Sequence, residues 1–287
     1  MWGGHAATMQ LMFVFPSIRM CGSLLLVLCV SACSAVPGTG RQRLDLMPDR
    51  QMSQLGQETF SQILVDRTVL ESGEEVDRVR EIGERVIVSA RTLYPGAPIP
   101  KDWEIVVFQD DTPNAFAVPG GRIGVHTGMI RVAESDDALA VVIGHEVAHV
   151  LAEHAGERMS QAVLIGGGIM IGDAATRNED GTTRTAVLLA MGLGTQVGLA
   201  LPYSRLHESE ADELGLLIAA NAGYDPRTSI GLWQRMEEEG GTRLEFLSTH
   251  PNPGSRIKEL QAVMPEARRL YLRAKARQRD AQGPSAD

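Results

Sequence analysis

The sequence predicts an α+β, mainly helical domain with one small sheet. Three observations predict it. Apolar residues recur at helical spacing over most of the chain after Arg50, and strand-like alternation is confined to a short stretch around residues 103–126. No segment repeats. At 287 residues the chain has room for one catalytic-sized domain with small appendages. The formal charge of -9 and the lack of a basic stripe exclude nucleic acid as a partner.

The first residues read as an export segment. Arg19 precedes an apolar run, Met20 to Val30, too short to span a bilayer comfortably and ending in small residues. Val30-Ser31-Ala32-Cys33 resembles a bacterial lipoprotein box, which makes Cys33 the expected lipidated N-terminus; a plain signal cleavage site is the alternative. Ser34 after it implies the outer membrane, with the rest of the chain in the periplasm on a lipid anchor. Cys21, Cys29 and Cys33 are the three cysteines, so the folded domain has no internal disulfide. The expected division is a signal peptide at 1–32, a lipidated cysteine and tether at 33–49, a catalytic domain at 50–272 and a disordered tail at 273–287.

Leu55, Phe60, Ile63 and Leu64 form one helical stripe. After the break at Ser72-Gly73, Val76, Val79, Ile82, Val86 and Ile87 form a second. Trp103 to Gln109 alternates as a strand, and Gly121 to His126 is another. Between them, Asn114 to Val118 followed by Pro119-Gly120-Gly121 suits an edge strand entering a turn, because proline cannot donate to a central ladder. A helix is expected from about Asp136 to Met159, and a further one from Ser204 to Ala222, ending at Gly223. Helices at about 226–239 and 253–272 complete the domain. The glycine-dotted apolar runs between 163 and 201 read as core helices in preference to membrane contact.

The chemistry centres on His145-Glu146-Val147-Ala148-His149. Histidines four apart on a helix lie about 40° apart around its axis, so both can reach one metal ion. H-E-x-x-H is the zinc-peptidase motif, with the histidines as ligands and Glu146 as general base for a water. The apolar flanks, Val141 to Ile143 and Val150-Leu151, predict burial, which two histidines and an acid tolerate best with a metal among them. A catalytic zinc needs a third protein ligand. Ala152 and Ala155 occupy the positions where one zincin class has its turning glycine and third histidine. His154, about 140° round a continuous helix from His149, would point away. Glu208 and Asp212 share a helix face, so one can bind zinc while the other accepts the outer N–H of a ligand histidine. Glu210, about 200° from Glu208, is expected to face solvent or an arginine. His126 and His207 are expected to be structural.

Four stretches together resemble the HtpX and CAAX-prenyl-protease family of zinc endopeptidases: His145-Glu146-x-x-His149, Glu208-x-x-Ala211-Asp212, Asn114-Ala115-Phe116-Ala117-x-Pro119-Gly120-Gly121, and Thr249-His250-Pro251 with Arg256. Within it the chain looks like the short lipoprotein branch typified by LoiP and the protease part of BepA. The resemblance implies a zincin-like fold whose edge strand borders the active site. It implies one zinc per chain on His145, His149 and Glu208, with Glu146 as base and Asp212 and Arg256 supporting the ligands. It further implies that Asn114, Ala115, Phe116 and Ala117 bind substrate backbone by strand addition. His250 is expected either to hydrogen-bond the developing oxyanion or to fill the open zinc position at rest. The implied substrates are misfolded or damaged envelope proteins. A chaperone-like binding lipoprotein, with a structural or autoinhibited zinc site, is the alternative.

Overall fold

The computed structural model describes residues 33–174, 203–238, 246, 250 and 255–282. The chain begins with a hairpin, β1 (Cys33–Ala35) and β2 (Gln42–Leu44), and continues through α1 (Asp49–Asp66), β3 (Val69–Leu70) and α2 (Glu74–Leu93). Then come β4 (Glu104–Phe108), β5 (Ala115–Val118), β6 (Arg122–His126), α3 (Thr127–Ala133), α4 (Asp136–Leu151) and α5 (His154–Ala174). α6 (Tyr203–Asn221), α7 (Thr228–Glu238) and α8 (Arg256–Gln282) follow. A mainly helical α+β domain is what the periodicities predicted; beside the expected small sheet there is a second, two-stranded one.

The larger sheet has the order β3-β4-β6-β5, which leaves β5 at an edge. β4 and β6 run parallel, and β5 is antiparallel to β6 with Ala115 opposite Val125 and Ala117 opposite Ile123. The turn between β5 and β6 puts Gly120 at φ 88° and Gly121 at φ 82°, a conformation open to glycine and strained for other residues. One face of the sheet carries Phe108 and Phe116, stacked at 6.0 Å, and α1 closes it with Phe60. The α1 stripe that is buried is Met52, Gly56 and Phe60, one residue per turn. On the other side α2, α4 and α6 build the main core, and all five apolar positions expected of α2 are buried there.

α4 and α6 cross at two glycines. A Cβ added at Gly144 would sit 2.6 Å from the Gly215 carbonyl oxygen, and one at Gly215 would sit 2.6 Å from the His145 backbone nitrogen. No side chain fits between the two backbones. The close approach matters because Gly144 immediately precedes His145, while Gly215 lies three and seven residues beyond Asp212 and Glu208, on their face of α6.

The structure differs from expectation at four places. Residues 33–49 are not a bare tether: the hairpin packs on the domain, with Val36 and Arg43 buried. The chain at 273–282 is the end of α8 and not a disordered tail. The helix expected from Asp136 to Met159 is broken, since Glu153 takes the left-handed conformation at φ 52° between α4 and α5. The buried Arg43 of β2 holds that residue by an ion pair with its carboxylate. α7 and α8 also start two to three residues later than the spacing suggests. Residues 1–32, where a signal segment was expected, and residues 175–202 lie outside the described residues, and among the described residues no helix is long and apolar enough to cross a membrane.

Candidate metal centre

α4 starts with a capping interaction, the Ser135 side chain accepting from the Ala138 backbone N–H, with Asp136 and Asp137 in the first turn. From that start it carries His145, Glu146 and His149 into the interior, where all three are buried. α6 brings Glu208 and Asp212 to the same point, and His250 comes from the chain between α7 and α8. One atom each from His145, His149, Glu208 and His250 lies within 4.8 Å of the others.

The individual distances define a shape. His145 Nε2 is 3.0 Å from His149 Nε2, 3.3 Å from His250 Nδ1 and 3.2 Å from Glu208 Oε2. His149 Nε2 to Glu208 Oε1 is 3.5 Å, and His250 Nδ1 to Glu208 Oε2 is 3.1 Å. Four donors bound tetrahedrally at about 2.0–2.1 Å stand about 3.3–3.4 Å apart. These five separations fall around that value, so the donor set fits a four-coordinate zinc, with His250 at the fourth corner.

The outer nitrogens are also held. With Nε2 of His145 in the cluster, its Nδ1 faces Asp212 Oδ1 at 2.9 Å. Arg256 ties both acids of α6 together, its Nε donating to Asp212 and its terminal nitrogen to Glu208 Oε2 at 3.1 Å. The Arg256 guanidinium lies 3.8 Å above the Trp233 ring and is buried, so its position is fixed by packing as well as charge. Phe246 stacks on His250 at 4.5 Å.

The two carboxylates of α6 favour positive charge beside them. Burial opposes the charged form of His145, yet Asp212 and Glu208 outweigh it and raise its pKa to about 10. Burial would raise Glu208, but His250 and His149 hold its carboxyl well below the usual range. Burial likewise pushes His149 well down, keeping it in the neutral form that binds metal. Glu146 is pushed up, mainly by burial, as suits a base working near neutral pH.

β5 approaches the same place. His126 N–H donates to the Asn114 carbonyl, so with the two-residue period Phe116 and Val118 also bond inward to β6, while the backbone groups of Ala115 and Ala117 face the open edge. The Ala117 backbone N–H reaches the Glu146 carboxylate. Asn114, Phe116 and Ala117 line a cleft of about 1160 Å³ together with Glu146, His149, Glu208 and His250. Ala115 is fully buried and does not line it. Cys33 is exposed at the start of β1, remote in sequence from every one of these groups.

Sequence reasoning missed a second layer. The break at Glu153 returns His154 to His149, Nδ1 to Nδ1 at 2.8 Å, where an unbroken helix would have carried it away. His154 Nε2 donates to Glu210 Oε2 at 3.0 Å. Glu210 meets an arginine, as one of its two expected settings had it: Arg41 of the hairpin loop donates to it at 2.9 Å and to Glu157 at 2.9 and 2.7 Å. His207 is buried and donates to Glu157 at 2.9 Å. The acid-rich stretch of α6 was the only signal for this layer, and it did not identify Arg41.

Burial opposes ionisation of Glu157, but His207 and Arg41 lower its pKa to about 2, against an ordinary value of 4.5. A depressed carboxylate stabilises the fold above its unfolded pKa and loses that stabilisation as pH falls toward its folded one. The melting-temperature advantage of wild type over Glu157→Gln is therefore expected at pH 5, to shrink below about pH 4.5 and to vanish near pH 2. An advantage that is constant across this range contradicts the assignment.

Comparison with known proteins identifies the family. The profile of Peptidase family M48 matches residues 74–264. The Mitochondrial metalloendopeptidase OMA1 of Schizosaccharomyces pombe is 36% identical over 168 residues, covering 58% of this chain and 48% of that protein. The human Metalloendopeptidase OMA1, mitochondrial, is 30% identical over 273 residues, covering 90% and 51%. A Putative beta-barrel assembly-enhancing protease of Vibrio cholerae is 27% identical over 192 residues, covering 63% and 37%. The chain spans about half the length of the OMA1 relatives.

These relatives correct the expected location. A periplasmic position on an outer-membrane lipid anchor followed from the leader and Ser34, but OMA1 proteins of fungi, a plant and animals, at 30–37% identity, carry mitochondrial names. Four residues of lipoprotein-like sequence weigh less than similarity over the folded domain. The HtpX and LoiP grouping is not the one that the comparisons single out; the family that contains both OMA1 and the assembly-enhancing proteases is. With its profile matched over residues 74–264, two thirds of the sequence, the chain belongs to Peptidase family M48.

Proposed function

We propose that the chain is a zinc-dependent metalloendopeptidase that hydrolyses extended segments of unfolded or damaged polypeptides, and that it rests with His250 across its metal site. The observation that carries the reading is the close set of His145, His149, Glu208 and His250 donors beside the buried Glu146. Zinc held there would polarise the scissile carbonyl and acidify water. Glu146 takes the proton of the attacking water and passes it to the leaving amine. Asp212, bonded to His145, fixes the tautomer of that ligand, and Arg256 holds Asp212 and Glu208 in register.

The substrate lies along β5. The outward backbone groups of Ala117 pair with the substrate main chain, so recognition rests little on side chains, as clearing unfolded chains requires, whereas Ala115 is too buried to take part. Support comes from Asn114, whose buried Oδ1 has no hydrogen-bond partner among the described residues and can accept a substrate amide. The Ala117 N–H that now meets Glu146 becomes available when substrate arrives.

His250 is the resting block. Its Nδ1 takes the corner that water needs, and its Nε2 stands 3.4 Å from Glu146 Oε1, so it separates the base from the metal position. Removing it distinguishes a blocked protease from a chaperone-like protein that keeps zinc as a staple. His250→Ala is expected to raise the initial rate on unfolded casein above wild type, with 1,10-phenanthroline abolishing it. An inert His250→Ala protein that still holds zinc favours the staple. A loss of turnover in a variant with wild-type zinc content would return His250 to the oxyanion role.

A further inference from the structure

The hairpin β1–β2 precedes the residues that the family profile matches, yet its loop reaches the metal centre through a chain of hydrogen bonds. We infer that His154, Glu210 and Arg41 form a positioning relay that fixes the orientation of His149, making the hairpin a working part of the metal site.

The protons along the relay are determined by its end. His149 Nε2 faces the ligand cluster, so its Nδ1 carries the hydrogen and donates to His154 Nδ1 at 2.8 Å. His154 then carries its own hydrogen on Nε2 and donates to Glu210 Oε2 at 3.0 Å. Glu210 accepts from Arg41 Nε at 2.9 Å and from the Thr39 hydroxyl, which neutralises a carboxylate that is only 5% exposed. Every donor meets an acceptor in this assignment. The opposite tautomer of His154 would set two N–H groups against each other at His149 and leave two acceptors facing each other at Glu210.

The geometry depends on a local backbone feature. Only the left-handed Glu153 turns His154 back onto His149, and Arg43, from the same hairpin as Arg41, pairs with Glu153. The hairpin therefore sets both the position of the relay histidine and the charge at the end of the relay. His145 obtains the same service from Asp212 directly; His149 obtains it through an intermediate ring.

The inference rests on the zinc reading above, and the test separates the two. Zinc affinity is measured by chelator competition on the full chain, alongside the visible spectrum of the cobalt(II)-substituted protein. His154→Phe keeps a ring but offers no acceptor, and is expected to bind zinc about 10- to 100-fold more weakly, with a shifted cobalt band. His154→Asn places an amide oxygen where Nδ1 stood and should recover most of the affinity. Arg41→Ala, at the partly exposed end of the relay, is expected to weaken zinc by a smaller factor, and it decides the matter if His154→Phe does not fold. Wild-type zinc affinity and an unshifted cobalt spectrum in Arg41→Ala and in folded His154→Phe overturn the relay while leaving the zinc site intact. A wild-type protein that binds no zinc overturns both.

Discussion

Glu146→Gln is expected to reduce peptide hydrolysis by about 10²- to 10⁴-fold, the range a positioned general base supplies, while zinc content and melting temperature stay near wild type. The buried carboxylate has His250 Nε2 at 3.4 Å and the Ala117 N–H as neighbours, and glutamine can keep the second of these contacts. What it cannot do is take a proton. The carboxylate is not among the ligand donors, so its replacement leaves the donor set of His145, His149, Glu208 and His250 complete. Turnover by Glu146→Gln at the wild-type rate would remove the residue from the mechanism.

Gly215→Ala is expected to disable the site without touching any ligand. Its Cβ would lie 2.6 Å from the His145 backbone nitrogen and 2.8 Å from its Cα, contacts that backbone atoms cannot relieve by rotating a side chain. α4 and α6 must separate, at a cost of about 1–3 kcal/mol for overpacking and the loss of close contact along both helices. That corresponds to a fall in melting temperature of roughly 2–4 °C per kcal/mol for a domain of this size. The larger effect falls on the metal. Donor separations of 3.0–3.5 Å leave little tolerance, so separating the helices that carry His145 and Glu208 should lower zinc affinity and activity together. A Gly215→Ala protein with wild-type zinc affinity would show that the crossing does not set the ligand spacing.

The two helices of the metal site were legible because each pair of site residues obeys helical spacing on its own helix: His145 with His149, and Glu208 with Asp212. The sheet was legible because alternation and the Pro-Gly-Gly turn are local signals. The helix break was not, since the left-handed residue is Glu153 and not a glycine, and what keeps it there is Arg43, some 110 residues earlier in the chain. Hydropathy read the stretch before α1 as a tether because its stabilisation is ionic: Arg41 and Arg43 hold it to Glu157, Glu210 and Glu153. The role of His154 follows from those same long-range pairs, so it was hidden for the same reason. The sequence pattern around His250 marked it as functional, and the distances from its Nδ1 to His145 and Glu208 are what support the resting block proposed for it.

The central claim is that His145, His149, Glu208 and His250 surround one zinc ion. Metal content of the purified protein, measured by elemental analysis beside a Glu208→Ala variant, tests it most directly. The account predicts one zinc per chain in wild type and a clear loss of zinc in Glu208→Ala. A wild-type protein without zinc, or a Glu208→Ala protein that retains it fully, would contradict the account.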